Sequence, residues 1–155
     1  MISAGILIEH CASTPLLVLD TNVVLDWVVF GDARVQPAAM AIESGKLQLA
    51  TSAACLQELH RTLGYAQLRL DATAQARAYA RYAAHARVFE VPDKVAAHAL
   101  PRCGDPDDQK FLELAWHTRA RYLLTRDQAL LKLAPRVAKL GCFEVMAPQA
   151  FALQR

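Results

Sequence analysis

The chain has 155 residues, of which 54% are hydrophobic and 21% are charged, and its formal net charge is +2 at pH 7. This length suits one globular domain, and this composition excludes an intrinsically disordered chain. The small positive charge gives only weak support for a polyanionic partner.

The first predicted element is a strand over Leu16–Leu19, which ends at Asp20. Its continuous apolar run is typical of a strand that is buried on both faces of a parallel sheet. The pattern then predicts a helix over Val23–Phe30, a helix over Gln36–Ser44 and a second strand over Leu47–Ala50.

The next helix is predicted over Ser52–Leu63, because Ser52 can cap its first turn and Gly64 can end it. The Ala-rich segment Ala72–Arg87 predicts another helix. Val88–Val91 is predicted as the third strand.

The last predicted elements are a helix over Asp108–His117 and strands over Tyr122–Leu124 and Phe143–Met146. Strands that alternate with helices pair in parallel through right-handed crossovers. We therefore predict an α/β three-layer sandwich with a central, mainly parallel five-stranded sheet. One domain should span residues 15–155, after a leader of unknown role over residues 1–14.

Four acids are expected to meet at one edge of this sheet. Asp20 and Asp127 follow the carboxyl ends of two predicted strands, where α/β sheets bind their ligands. Asp108 begins a helix whose apolar stripe faces the core, and Glu58 lies at the border of the apolar stripe of its own helix. These positions predict a shared acidic crevice.

Several carboxylates in one crevice raise one another's pKa and each loses hydration, so a bound cation would stabilise them. Ligands that are all oxygen, without His or Cys, favour Mg²⁺ or Mn²⁺. Such ions suit phosphate chemistry. The predicted cofactor is therefore Mg²⁺ or Mn²⁺.

Each acid also has an ordinary structural interpretation. Asp20 and Asp108 could cap helices, Asp127 could form an Asx turn, and Glu58 could pair with Arg61 on the helix surface. The metal hypothesis depends on the four acids occurring together. We assign Asp105 a turn and capping role, in which it could also support the four acids.

Four sequence blocks resemble the PIN-domain superfamily, and the third is similar to the VapC-like toxins of toxin–antitoxin systems. The blocks are VLDTNVV from Val18, Ser52 followed by Glu58-Leu59, GDPDDQKFLELA from Gly104, and LTRD ending at Asp127.

This resemblance implies an endoribonuclease with a five-stranded parallel sheet and Mg²⁺ or Mn²⁺. It implies catalytic, metal-binding acids at Asp20, Glu58, Asp108 and Asp127, with Thr21, Asn22 and Thr125 as supporting groups. It also implies a small antitoxin partner and a homodimer.

Basic residues near the crevice are predicted to contact an RNA backbone. They are Lys110, Arg126, Arg61 and Arg102. The competing function is a non-catalytic module that holds a cation or a partner in the same crevice. A phosphoacceptor receiver-like domain is disfavoured, because its extra pair of acids and its strand lysine are not evident.

The remaining expectations concern location. No apolar run approaches the roughly 20 residues that cross a bilayer, and the opening segment lacks a basic leader. We expect a cytoplasmic protein without a membrane partner. The four widely spaced cysteines should be reduced, and they are Cys11, Cys55, Cys103 and Cys142.

Overall fold

The centre of the fold is a five-stranded parallel sheet with the strand order β3-β2-β1-β4-β5. The computed structural model describes residues 14–93 and 100–153, so Cys11 and nearly all of the predicted leader lie outside the described residues. The strands are β1 Leu16–Leu19, β2 Gln48–Thr51, β3 Ala86–Val88, β4 Tyr122–Leu124 and β5 Glu144–Met146.

At least one helix follows each strand along the chain. They are α1 Thr21–Leu25, α2 Gln36–Glu43, α3 Ala53–Leu63, α4 Ala72–His85, α5 Gln109–Thr118, α6 Gln128–Leu131, α7 Ala134–Leu140 and α8 Pro148–Leu153. Helix α1 continues as a π-helical turn over Asp26–Phe30, and 3₁₀ turns cover Ala33–Val35, Ala66–Leu68 and Pro106–Asp108.

Helices cover both faces of the sheet because the side chains of β1 alternate between them. Leu17 packs in a cluster with Trp27 from the first helical segment, whereas Val18 packs in the opposite cluster with Phe111 from α5. This arrangement confirms the predicted three-layer α/β sandwich. No helix in the described ranges is long and apolar enough to span a membrane.

The predicted position of the third strand was wrong. The prediction was Val88–Val91, but β3 covers Ala86–Val88 and α4 ends at His85. Strand β2 supplies partners only as far as Thr51, which is opposite Val88, and one further hydrogen bond joins Phe89 N to Thr51 O. Pairing with β2 therefore decides where β3 lies. It overrides the helix propensity of Ala86 and the strand propensity of the residues after Val88.

Candidate functional site

The sheet contains a switch point between β1 and β4. Strands β2 and β3 lie on one side of β1, whereas β4 and β5 lie on the other. Connections from the two halves therefore diverge at the carboxyl ends of β1 and β4, where such sheets bind ligands. Asp20 follows β1, and Thr125 and Asp127 follow β4.

Strand register brings Asp20 beside Thr125. Leu19 pairs with Leu124, and the next hydrogen bond joins Asp20 N to Leu124 O at 3.1 Å. The Thr125 hydroxyl donates to Oδ2 of Asp20, while Oδ1 accepts from Val23 N at 2.9 Å and so caps α1. Burial raises the pKa of Asp20, and the bond from Thr125 opposes this rise.

Three other aspartates form a tight group. Asp105, Asp108 and Asp127 each offer a carboxylate oxygen, and these oxygens all lie within 4.8 Å of one another. Asp127 also caps α6 through Ala129 N at 2.8 Å, and Asp105 caps its 3₁₀ turn. The Asx turn expected at Asp127 and the capping role expected of Asp105 are therefore both present, and these bonds hold the two residues beside Asp108.

Asp108 has the least satisfied carboxylate of the group. Its Oδ2 is buried and has no hydrogen-bond partner among the described residues. Burial, followed by the hydrogen bond with Asp127 and the negative charges of Asp127, Asp105 and Asp20, together raise the pKa of Asp108 to about 7. A divalent cation could bind this unpartnered oxygen as one of its ligands, and it would neutralise the surrounding negative charge. The group therefore fits Mg²⁺ or Mn²⁺.

Glu58 lies outside this group of aspartates. Its Oε1 accepts from Lys110 Nζ at 2.7 Å, and its other oxygen accepts from the Thr21 hydroxyl. Ser52 caps α3 through Cys55 N at 3.4 Å, which fixes the start of the helix that carries Glu58. Glu58 therefore faces the site with two protein partners, rather than pairing with Arg61 on the surface.

One cavity of about 270 Å³ collects these groups. Its lining includes all four predicted acids and the supporting residues Thr21, Asn22 and Asp105; Arg61, Thr62, Tyr65, Asp107 and Phe111 complete it. A larger cavity of about 510 Å³ lies at the amino ends of β4 and β5, where Arg121 and Cys142 contribute to its wall. We place the candidate site in the smaller cavity, because only that cavity contains the aspartate group.

The predicted RNA-binding residues have different surroundings. Arg61 lines the cavity, and Arg102 is exposed but is not among the lining residues. Arg126 binds both carboxylate oxygens of Asp26, through Nε at 2.7 Å and a terminal nitrogen at 3.1 Å. Sequence reasoning missed this role of Asp26, although a charge inside a buried apolar run signals a paired group.

Known proteins support the interpretation of the fold. A sequence profile described as PIN domain matches residues 16–129. The chain belongs to the PIN domain family. No curated protein sequence matches it. A solved structure with a similar fold is a chain of VapBC2 from Rickettsia felis, which was crystallised with a DNA fragment from their promoter. The TM-score is 0.57 and the identity 11%, over 84% of this chain and 96% of that chain.

The raised pKa of Asp108 makes the stability of the metal-free PIN domain depend on pH. Between the ordinary value of 3.8 and about 7, the unfolded chain has released this proton while the folded chain retains it. Rising pH therefore favours the unfolded state across this window, and the effect ends above it. Urea unfolding in EDTA should show wild type losing stability relative to Asp108→Asn as pH rises. A constant difference between the two proteins would contradict the prediction.

Proposed function

We propose that this PIN domain is a metal-dependent endoribonuclease that hydrolyses RNA phosphodiester bonds, with Asp20, Glu58, Asp108 and Asp127 as its acidic set. The observation that carries the proposal is the orphaned, buried Oδ2 of Asp108 within a group of three aspartates. Membership of the PIN domain family supports the nuclease activity. The cofactor in this proposal is Mg²⁺ or Mn²⁺.

The acidic residues of the site have different roles in the proposed hydrolysis. Asp105, Asp108 and Asp127 offer carboxylate oxygens close enough together to hold the cation, which would supply Lewis acidity toward water and phosphate oxygens. Asp20 fixes Thr125 and the start of α1, so it holds the two sides of the crevice together. Hydrolysis joins the water oxygen to phosphorus, breaks the bond from phosphorus to one ribose oxygen and leaves a proton on that oxygen.

Metal dependence is the direct test of this proposal. Cleavage of mixed RNA should require Mg²⁺ or Mn²⁺ and stop in EDTA. The same ion should raise the melting temperature, since a ligand at a hundredfold excess over its Kd stabilises the folded state by roughly 2.7 kcal/mol. A metal-induced shift without RNA cleavage would instead favour the non-catalytic cation-binding module. Cleavage that persists in EDTA would reject the metal mechanism.

Salt dependence tests the proposed RNA contacts. Arg61 lines the cavity and has no ion-pair partner in residues 14–93 and 100–153, so it is available to a phosphate. Because each neutralised phosphate releases counterions, RNA affinity should fall as salt rises, and Arg61→Gln should flatten this slope. Arg121→Gln is the matched control, because Arg121 precedes β4 at the opposite edge of the sheet. Equal slopes for all three proteins would contradict the assignment.

We also propose that the chain is the toxin of a pair with a small antitoxin and that it forms a homodimer. The fold shared with the VapBC2 chain and the GDPDDQKFLELA segment support the pairing. Light scattering of the purified chain, alone and with the product of an adjacent small gene, tests both parts.

A further inference from the structure

The ammonium group of Lys110 lies beside the acidic site, against Glu58 from its lining, and makes three contacts. Nζ donates to Glu58 Oε1 at 2.7 Å and to the carbonyl oxygen of Asp107, and it lies 5.0 Å from the centroid of the Phe111 ring. The side chains of Lys110 and Glu58 are only 24% and 16% exposed. The ammonium is therefore fixed beside the cavity rather than extended into solvent.

This contact compensates the charge of Glu58. One oxygen of Glu58 accepts from Lys110 and the other accepts from the Thr21 hydroxyl, so both oxygens have protein partners. Charge-assisted hydrogen bonds of this kind are stronger than those between neutral groups. A divalent cation that recruited Glu58 as a ligand would have to displace the ammonium and break its bond.

The aspartates have no such compensation. Among the residues that the structure describes, no basic side chain forms an ion pair with Asp105, Asp108 or Asp127. The buried Oδ2 of Asp108 also lacks a hydrogen-bond partner there. Negative charge without an ion-pair partner in the described chain is thus concentrated at the three aspartates, whereas Glu58 in the same lining is already paired with Lys110.

We infer that Lys110 takes the place of a second divalent cation in this site, so that the chain binds a single metal ion at Asp105, Asp108 and Asp127. The inference rests on the proposed function and specifies its metal stoichiometry. An ammonium has three N–H donors, and two of these have oxygen partners within the described chain.

Mn²⁺ binding to the purified full-length protein tests this inference without relying on activity. Calorimetric titration and electron paramagnetic resonance should give one ion per chain for wild type. Lys110→Met releases Glu58 as a carboxylate ligand, so we expect two ions per chain. Lys110→Arg keeps the positive charge and should bind one ion, as should Lys46→Met, which removes an exposed lysine before β2, at the far edge of the sheet.

The double variant Glu58→Gln/Lys110→Met leaves the net charge of the chain unchanged. It tests the inference even if Lys110→Met alone does not fold. It should bind one Mn²⁺ with an affinity close to that of wild type, because neither residue is a ligand in this proposal. A loss of about tenfold or more, as expected when groups that support a metal are removed, would overturn the inference. Two ions bound to wild type, or one ion bound to a folded Lys110→Met variant, would also overturn it.

These outcomes are separable from the fate of the proposed function. A wild-type protein that cleaves RNA and binds two Mn²⁺ ions would keep the endoribonuclease and reject the role of Lys110. A protein that binds one Mn²⁺ ion, gains a second in Lys110→Met and never cleaves RNA would keep the role of Lys110 and reject the endoribonuclease.

Discussion

Replacing Asp108 by asparagine is expected to reduce the rate of RNA cleavage by about a hundredfold or more, which corresponds to about 2.7 kcal/mol of transition-state stabilisation. Asp108 belongs to the aspartate group and lines the cavity, and its buried Oδ2 has no hydrogen-bond partner in the described chain. An amide keeps the shape but cannot supply the negative charge that holds a hard cation. Steady-state cleavage of RNA in saturating Mn²⁺ measures the loss.

The variant should lose activity without losing its fold. Asp108→Asn removes one of several neighbouring negative charges, so in EDTA its melting temperature should be at least that of wild type. Its gain in melting temperature from Mn²⁺ should be smaller, because one ligand is missing. A variant that melts well below wild type in EDTA would indicate a structural role and would reject this interpretation.

Asp71→Asn is the matched control for this experiment. Asp71 caps α4 by accepting from Ala74 N at 2.8 Å, it is exposed, and it does not line the cavity. Asparagine caps helices about as well as aspartate, so cleavage and stability should both stay near the wild-type values. Equal losses of activity in Asp71→Asn and Asp108→Asn would show that the effect is not specific to the site.

Asp20 and Asp127 could be placed at the site from the sequence, because each follows an apolar run that is typical of a buried strand. The apolar run Leu16–Leu19 indicates a buried parallel strand, and such strands deliver the residues that follow them to one edge of the sheet. The same reasoning applies to Tyr122–Leu124 and Asp127. Both acids line the cavity, as the pattern predicts, although the pattern alone did not distinguish a cap from a site residue.

The role of Asp105 illustrates the limit of local reasoning. Its capping bond to Asp107 N is a short-range feature, and the sequence predicted it. The approach of its carboxylate to Asp127 depends on how the 3₁₀ turn packs against the end of β4, which no spacing in the sequence specifies. One side chain can cap a turn and face a cation, so the two interpretations were not alternatives.

The pairing of basic residues could not be predicted for the same physical reason. Lys110 and Glu58 are 52 positions apart, and Arg126 and Asp26 are 100 positions apart. Both pairs form only after the helices have packed on the sheet, whereas charge patterns predict partners only at helical or strand spacing. The sequence therefore assigned both basic residues to RNA, and the structure gives each one a protein partner.

Replacing Arg126 by glutamine is expected to lower the free energy of unfolding by about 2–3 kcal/mol. The Asp26 side chain is only 7% exposed, so the variant leaves a buried carboxylate without its bidentate partner. Breaking a fully buried ion pair costs about 3–5 kcal/mol. The loss expected here is smaller, because Arg126 is 38% exposed and water can reach the remaining carboxylate. Urea unfolding at neutral pH measures the change.

The same variant should also weaken the metal site. Arg126 lies between Thr125 and Asp127, and its bond to Asp26 ties the turn after β4 to the π-helical turn after α1. Without that bond Asp127 is less firmly positioned, so the Kd for Mn²⁺ should rise while the salt slope of RNA binding stays unchanged. The double variant Asp26→Asn/Arg126→Gln removes both charges and should recover part of the lost stability.

A surface pair provides the comparison for this experiment. Arg34 and Asp32 form a similar bidentate contact, but the Arg34 side chain is 51% exposed. Arg34→Gln should therefore change the free energy of unfolding much less than Arg126→Gln. If Arg126→Gln instead unfolds like wild type and flattens the salt slope of RNA binding, its guanidinium contacts the RNA backbone, and the positioning role must be abandoned.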